Sequence, residues 1–254
     1  MDPVSFSTLF FLWLAGLFAG FVDSIAGGGG IISLPALLAT GMPPHLALGT
    51  NKLQGSFGSL TAAVNYSRKG LVSFRDVFMG IVFTALGALC GTVIVQVLSA
   101  DFLRHVILIL LVAVFVYTLC SPDLGRIDRR SLMRAPIFFG LAGMVLGFYD
   151  GFFGPGTGSF WTITLVLVLG LNLKKATANT KILNFTSNIV ALIGFCIGGN
   201  VVFSAGLLMG CGQMLGAFLG SRLVIQRGTG FVRVFFLVVV AATIVKLAYN
   251  AYAG

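Results

Sequence analysis

Four charged residues stand inside apolar stretches of this chain, and they form a duplicated set. Gly20-Phe21-Val22-Asp23 recurs 127 residues later as Gly147-Phe148-Tyr149-Asp150, and the segment around Lys52 recurs 129 residues later around Lys181. A charge in hydrocarbon costs about 2.5–3.5 kcal/mol on insertion scales. Charges in this setting usually face a bundle interior or a watery cavity, where carboxylates and ammonium groups bind ions or relay protons. Their presence in both halves indicates a pathway between related halves.

The composition places these charges in a membrane protein. The 254 residues are 57% hydrophobic and 9% charged, with no Glu at all, whereas soluble domains average about 25% charged residues. The mean hydropathy of +1.03 predicts a polytopic, all-α membrane protein. The net charge of +9 falls mostly in short loops, which is typical of the positive-inside rule, so no nucleic-acid partner is expected.

Apolar segments divide the chain into helices. Eight are long enough to span a bilayer, which takes about 20 residues. The second and seventh are shorter, and each follows a glycine-rich break, so we predict eight full-length helices and two short broken segments. The ten segments are 4–26, 30–41, 45–67, 75–98, 102–121, 135–153, 157–171, 175–198, 204–226 and 230–252.

The two halves are related in sequence beyond the charges. At an offset of 129, eleven residues of the first half, Lys52 among them, recur unchanged in the second. The domain prediction is therefore a first membrane repeat at 1–120, a basic linker at 121–134 and a second membrane repeat at 135–254, with about five segments in each repeat.

Equivalent loops of the two repeats carry opposite charge bias. The loop after the first lysine-bearing segment holds Arg68, Lys69 and Arg75, while its counterpart, 198–200, holds no charge. By the positive-inside rule the repeats are inverted relative to each other. This predicts a cytoplasmic linker and two periplasmic termini.

The glycine-rich breaks are candidate anion sites. Glycine lets the backbone leave a helix and approach a ligand, and the helix that then begins presents free N–H groups with roughly half a positive charge. Close helix packing is the alternative explanation for these glycines. The candidate ligand-binding residues here are Gly27, Gly28, Gly29, Gly154, Gly156 and Thr157.

The lysine-bearing helices carry polar stripes that should face the bundle interior. Lys52 and Lys181 are the main anion-binding candidates, since an ammonium group is a compact charge with three donors. The alternative is that each lysine forms a structural ion pair with an aspartate. Residues of the same stripes that could bind the anion are Asn51, Gln54, Ser59, Thr180, Asn184 and Asn188.

Asp23 and Asp150 precede the breaks and are candidates for proton coupling, because a carboxyl group held away from water can carry a proton. Helix capping is the alternative role. Tyr149-Asp150 is also found in intramembrane aspartyl proteases, but their Gly-x-Gly-Asp motif is absent. We therefore expect no catalytic residue, no metal site and no cofactor.

The segments 20–29 and 47–54, Gly-Phe-Val-Asp-Ser-Ile-Ala-Gly-Gly-Gly and Ala-Leu-Gly-Thr-Asn-Lys-Leu-Gln, resemble the signature of the TauE/SafE sulfite exporter family. The resemblance covers essentially the whole chain. It implies a multi-pass permease of the bacterial inner membrane that handles sulfur-containing anions. The expected partners are the lipid bilayer, from the composition, a small anion, and protons, from the two aspartates. The resulting hypothesis is a secondary transporter of a sulfite-like anion or organosulfonate with a site at midplane between inverted repeats. A passive anion channel and an intramembrane enzyme are the alternatives.

Overall fold

The computed structural model describes residues 6–120 and 130–227, and this part of the chain folds into α-helices without any strand. The helices begin and end within four residues of the segments predicted from sequence, and the tenth segment, 230–252, lies outside the described residues. The all-helical prediction is confirmed. The helices are α1 Phe6–Ala26, α2 Gly29–Leu38, α3 Pro44–Ser67, α4 Phe74–Val97, α5 Ala100–Cys120, α6 Ala135–Phe152, α7 Thr157–Leu167, α8 Leu173–Ile197 and α9 Phe203–Arg227.

The helices α2 and α7 are half as long as a membrane span. With 10 and 11 residues they rise about 15 and 16 Å, against a hydrocarbon thickness of about 30 Å. Each follows a break in which glycine adopts a positive φ, namely Gly27 (79°) after α1 and Gly154 (100°) and Gly156 (85°) after α6. Each of these two helices is therefore too short to cross a bilayer alone and begins directly after a glycine break.

Glycines allow two pairs of helices to pack backbone to backbone. A Cβ atom added to Gly87 of α4 would lie 2.4 Å from the carbonyl oxygen of Met144 in α6. A Cβ added to Gly216 of α9 would lie 1.9 Å from the carbonyl oxygen of Leu17 in α1. These glycines have the packing role expected of small residues between membrane helices.

The exterior of the molecule suits a lipid environment. Five of the described helices, α1, α4, α6, α8 and α9, are long and apolar enough to cross a membrane. Along α4, large apolar side chains such as Phe78 and Val93 are more than half exposed, and contiguous exposed apolar surface of this kind marks contact with lipid or another protein. The protein is a multi-pass membrane protein, and the duplicated lysines lie buried in its interior.

Candidate functional site

The two helix breaks contact each other at the centre of the described structure. The backbone N–H of Ser159 donates to the carbonyl oxygen of Gly27 at 3.1 Å. A Cβ atom on Gly27 would lie 2.3 Å from the carbonyl carbon of Gly158, so only hydrogen atoms fit between the two chains here. The N-termini of α2 and α7 are thereby brought together.

Both buried lysines form ion pairs, and each pair joins the two halves of the chain. Lys52 Nζ lies 2.7 Å from Asp150 Oδ1, and Lys181 Nζ lies 3.1 Å from Asp23 Oδ2. Each ammonium group also donates to the backbone carbonyl of its aspartate. The lysine of one half therefore holds the end of the broken helix in the other half.

Burial makes these contacts energetically important. Lys52 is 1% exposed and Lys181 is 0% exposed, and an ammonium group so buried is tolerated only with charged or hydrogen-bonding partners. Loss of one partner from a buried pair costs about 3–5 kcal/mol. The ion-pair alternative raised by the sequence thus describes this conformation.

A small polar cavity of about 30 Å³ lies between the breaks and the lysine-bearing helices. By this measure a water molecule needs about 10–15 Å³, so the cavity has room for one or two waters and must widen to accept an anion of four or more heavy atoms. Its lining residues come from both halves: Asp23, Gly27, Gly30, Asn51, Lys52, Gln54, Gly55, Asp150, Gly154, Gly156, Thr157, Gly158, Asn184, Asn188 and Gln213.

Five of the residues proposed from sequence do not line this cavity. Ser59 donates to the carbonyl oxygen of Gly55 within its own helix at 2.7 Å, and Thr180 bonds Thr162 of α7 at 3.1 Å. These two hydroxyl groups stabilise helices and their packing in this conformation. The other three are Gly28, Gly29 and Lys181.

Asp23 makes one contact of the kind expected of a residue that caps the N-terminus of α2. The Gly29 N–H, at the start of α2, donates to Asp23 Oδ1 at 3.4 Å, which is a long hydrogen bond. Asp150 has a different second contact, because Ser187 Oγ of α8 donates to its Oδ2. Capping is therefore a weak, additional contact of Asp23.

A hydrogen-bonded triad ties α2 to α3 beside the cavity. Ser33 Oγ donates to Asn51 Oδ1 at 2.6 Å, and Gln54 Nε2 lies 2.8 Å from the same oxygen and 2.9 Å from Ser33 Oγ. Asn51 and Gln54 are one turn apart on α3, so both can face α2. The triad positions α2, whose first turn lines the cavity.

Sequence reasoning missed three polar residues of the site. At the offset of 129, Ser33 corresponds to Thr162 and Ser187 to Gly58, so neither recurs as serine, and serine is common in the interior of membrane helix bundles. Gln213 is a lone amide in an otherwise apolar and small-residue part of α9. The sequence could have identified Gln213 by this isolation, because polar side chains within membrane segments usually face the bundle interior.

Unpartnered amide groups surround the cavity. Within the described part of the chain, Gln54 Oε1, Asn184 Oδ1 and Gln213 Oε1 are buried and have no hydrogen-bond partner. Buried polar atoms are almost always hydrogen-bonded to protein or water, and the two orientations of an amide differ only by exchange of its oxygen and nitrogen. The cavity therefore offers several polar groups to a ligand or to water.

A larger cavity of about 800 Å³ lies elsewhere, between residues 70–77, 131–135 and 169–171. It contains neither ion pair, and its lining includes Asp76, Arg134, Lys175 and Asn179. We assign the candidate site to the smaller cavity, because Lys52, both aspartates, residues of both glycine breaks and three amide residues with unpartnered buried oxygens line it.

Multiple apolar helices, two broken helices and paired charges around a buried polar cavity are typical of a membrane transporter. The model of the sulfite exporter TauE/SafE family matches residues 12–247. The chain belongs to the sulfite exporter TauE/SafE family, as its motifs had indicated.

Curated relatives carry transporter names. The chain is 44% identical over 252 residues to "Probable membrane transporter protein YfcA" of Escherichia coli (strain K12), covering 99% of this chain and 93% of the relative. It is 40% identical over 247 residues to "Probable membrane transporter protein" of Haemophilus influenzae, covering 97% of both chains. A weaker match, 29% over 118 residues, covers 46% of this chain and 26% of "Sulfite exporter TauE/SafE family protein 5" of Arabidopsis thaliana. No solved structure matches the chain.

Proposed function

We propose that this protein is a secondary transporter that moves a sulfite-like anion or organosulfonate across the bacterial inner membrane, coupled to protons. The observation that carries the proposal is the meeting of two helix N-termini, the Lys52–Asp150 ion pair and Asp23 around one buried polar cavity. Each helix N-terminus contributes roughly half a positive charge, which favours an anion. An anion held there would contact Lys52 and the N–H groups that follow the two breaks.

Inverted repeats are part of the proposal, and equivalent contacts support them. The contact of Gly87 with Met144 and that of Gly216 with Leu17 relate residues of the two halves at the offsets found in the sequence. The loop at 199–202 lies near the start of α3, where the Val202 N–H donates to Thr50 Oγ1 at 2.9 Å. The equivalent loop, at 70–73, follows the end of α3. Thr50 and the end of α3 are about 26 Å apart at 1.5 Å per residue, so the two equivalent loops lie towards opposite ends of α3, as inverted repeats require.

The proposed orientation places the linker in the cytoplasm and both termini in the periplasm. Phe74 and Phe203, equivalent residues at the starts of α4 and α9, are 62% and 56% exposed. In a protein without its native cysteines, Phe74→Cys is expected to react with an impermeant thiol reagent only from the cytoplasmic side, and Phe203→Cys only from the periplasmic side. Labelling of both cysteines from the same side would contradict inverted repeats.

Flux measurements test the function itself. Purified protein in proteoliposomes is expected to take up sulfite or methanesulfonate, and an inward proton gradient is expected to increase the initial rate at least severalfold. Protein-free liposomes control for leakage of the undissociated acid. Uptake that ignores the proton gradient would favour a passive channel of the same architecture, and absence of uptake for both probes would contradict the assignment to sulfur anions.

A further inference from the structure

The two aspartates occupy equivalent positions in the sequence, but the structure holds them differently. The side chain of Asp150 is 5% exposed. Its Oδ1 accepts from Lys52 at 2.7 Å and its Oδ2 accepts from Ser187. Both of its oxygen atoms are therefore occupied by side-chain donors, which fix the carboxylate.

Asp23 is held more loosely. Its side chain is 13% exposed, and its Oδ2 lies 3.1 Å from Lys181 Nζ. Its Oδ1 has only the 3.4 Å contact with the Gly29 N–H. The weaker contacts and greater exposure leave this carboxylate more open to a proton from the cavity.

A substitution between the repeats accounts for the difference. Ser187 corresponds to Gly58 at the offset of 129. Asp23 therefore lacks an equivalent of the Ser187 hydroxyl group that holds Asp150. The side chain of Gln213 fills the space, since a Cβ on Gly58 would lie 2.3 Å from Gln213 Cγ. Gln213 corresponds to Thr84, and both pack alike: Gly20 abuts the backbone of Gln213, and Gly147 abuts that of Thr84.

Resting on the proposed function, we infer that Asp23 alone takes up the coupling proton, while Asp150 stays ionised against Lys52 and Ser187 throughout the cycle. The titratable groups that face Asp23 are Lys181 of α8 and Tyr66 of α3. Lys52 and Asp150 line the same cavity as Asp23. The helices α2 and α7 contain no titratable residue, and α9 presents the neutral Gln213. The Lys181 ammonium also donates to the Asp23 backbone carbonyl, an acceptor that remains available when the carboxylate is neutralised.

Charge counting then restricts the substrate. Two lysines and two aspartates cancel, so the resting site is neutral. A proton from the aqueous phase that binds an oxygen of Asp23 leaves the site with one positive charge, which one singly charged anion neutralises. We therefore expect the site to carry one proton with one singly charged oxyanion, such as a sulfonate or hydrogensulfite, without net movement of charge.

Asparagine variants separate the two carboxylates, and each serves as the matched control for the other. Methanesulfonate uptake into proteoliposomes is measured with an imposed pH gradient and, separately, with a membrane potential. For the wild type we expect uptake driven by the pH gradient and less than twofold affected by the potential. For Asp23→Asn we expect methanesulfonate binding to persist, the pH dependence to disappear and the flux to follow the potential. For Asp150→Asn we expect the pH dependence to persist in whatever folded protein is recovered.

A repeat-swapped variant tests the same inference if Asp150→Asn fails to fold. Gly58→Ser combined with Gln213→Thr gives Asp23 the residues that surround Asp150. One hydrogen bond to a charged group changes an equilibrium by about tenfold or more, and here it favours the ionised carboxylate. The pH of half-maximal flux is therefore expected to fall by about one unit. An unchanged pH midpoint, or the same loss of pH dependence in both Asn variants, would overturn the inequivalence. Absence of methanesulfonate and sulfite flux in the wild type would instead overturn the proposed function.

Discussion

Replacing Lys52 by alanine is expected to lower the free energy of unfolding by about 3–5 kcal/mol, because it leaves the buried Asp150 carboxylate without its charged partner. The same variant should weaken methanesulfonate binding at least 30-fold, since loss of a desolvated charge contact costs about 2–5 kcal/mol. Denaturant titration of the detergent-solubilised protein measures the first effect, and calorimetric titration with methanesulfonate measures the second.

A double variant distinguishes the two roles of the lysine. Lys52→Ala with Asp150→Asn removes both charges, and the asparagine can still accept a hydrogen bond from Ser187. We expect most of the lost stability to return while anion binding stays weak, because the ammonium contact is still missing. Recovery of binding together with stability would reduce Lys52 to a structural residue. The equivalent pair of variants at Lys181 and Asp23 provides an internal comparison.

The sequence predicted the architecture around the site well, because the patterns concerned are local or periodic. Long apolar stretches give helices in a bilayer almost irrespective of their partners, and runs of glycine before α2 and α7 indicate where helices must break. The motifs at Asp23 and Lys52 also identified the family before any comparison.

Pairing across the halves could not be read from the sequence. The motif order places Asp23 near Lys52 along the chain, yet the structure pairs Asp23 with Lys181 and Asp150 with Lys52. Whether each lysine pairs within its own half or with the aspartate of the other half depends on how the two breaks contact each other. That contact depends on the packing of four helices. The same applies to Thr180, whose hydroxyl lies against α7 rather than at the cavity.

The amide residues around the cavity illustrate a further limit of repeat reasoning. Lysines, aspartates and several glycines recur in both halves, but Asn51, Gln54, Asn184, Asn188 and Gln213 correspond to Thr180, Leu183, Gly55, Ser59 and Thr84 at the same offset. A search for duplicated residues therefore finds the lysines and aspartates of the site but misses Gln213. We interpret the duplicated residues as the framework of the site and the unduplicated amides as the groups that orient one particular anion within it.

Glycine substitutions at the crossing of the breaks are expected to have the largest effect on folding. A Cβ on Gly27 would lie 2.3 Å from Gly158 C and 2.7 Å from Ser159 N, and Gly27 has a φ of +79°. Gly27→Ala therefore combines a backbone clash with left-handed strain. We expect it to lower the free energy of unfolding by about 4 kcal/mol or more, which for a chain of this size corresponds to about 10 °C or more in Tm.

Two other glycines separate the clash from the strain. Gly41 has a similar φ of +83° but nothing within 4 Å of an added Cβ in the described structure, whereas Gly158 has no positive φ but a contact of 2.6 Å with the Cα of Gly27. Left-handed strain alone costs about 1–2 kcal/mol, so Gly41→Ala should be the mildest of the three variants and Gly27→Ala the most severe. Thermal unfolding of the three purified proteins in the same detergent measures this order. If Gly27→Ala and Gly158→Ala were no less stable than Gly41→Ala, the two breaks would not be in contact, and the site that depends on their crossing would have to be rejected.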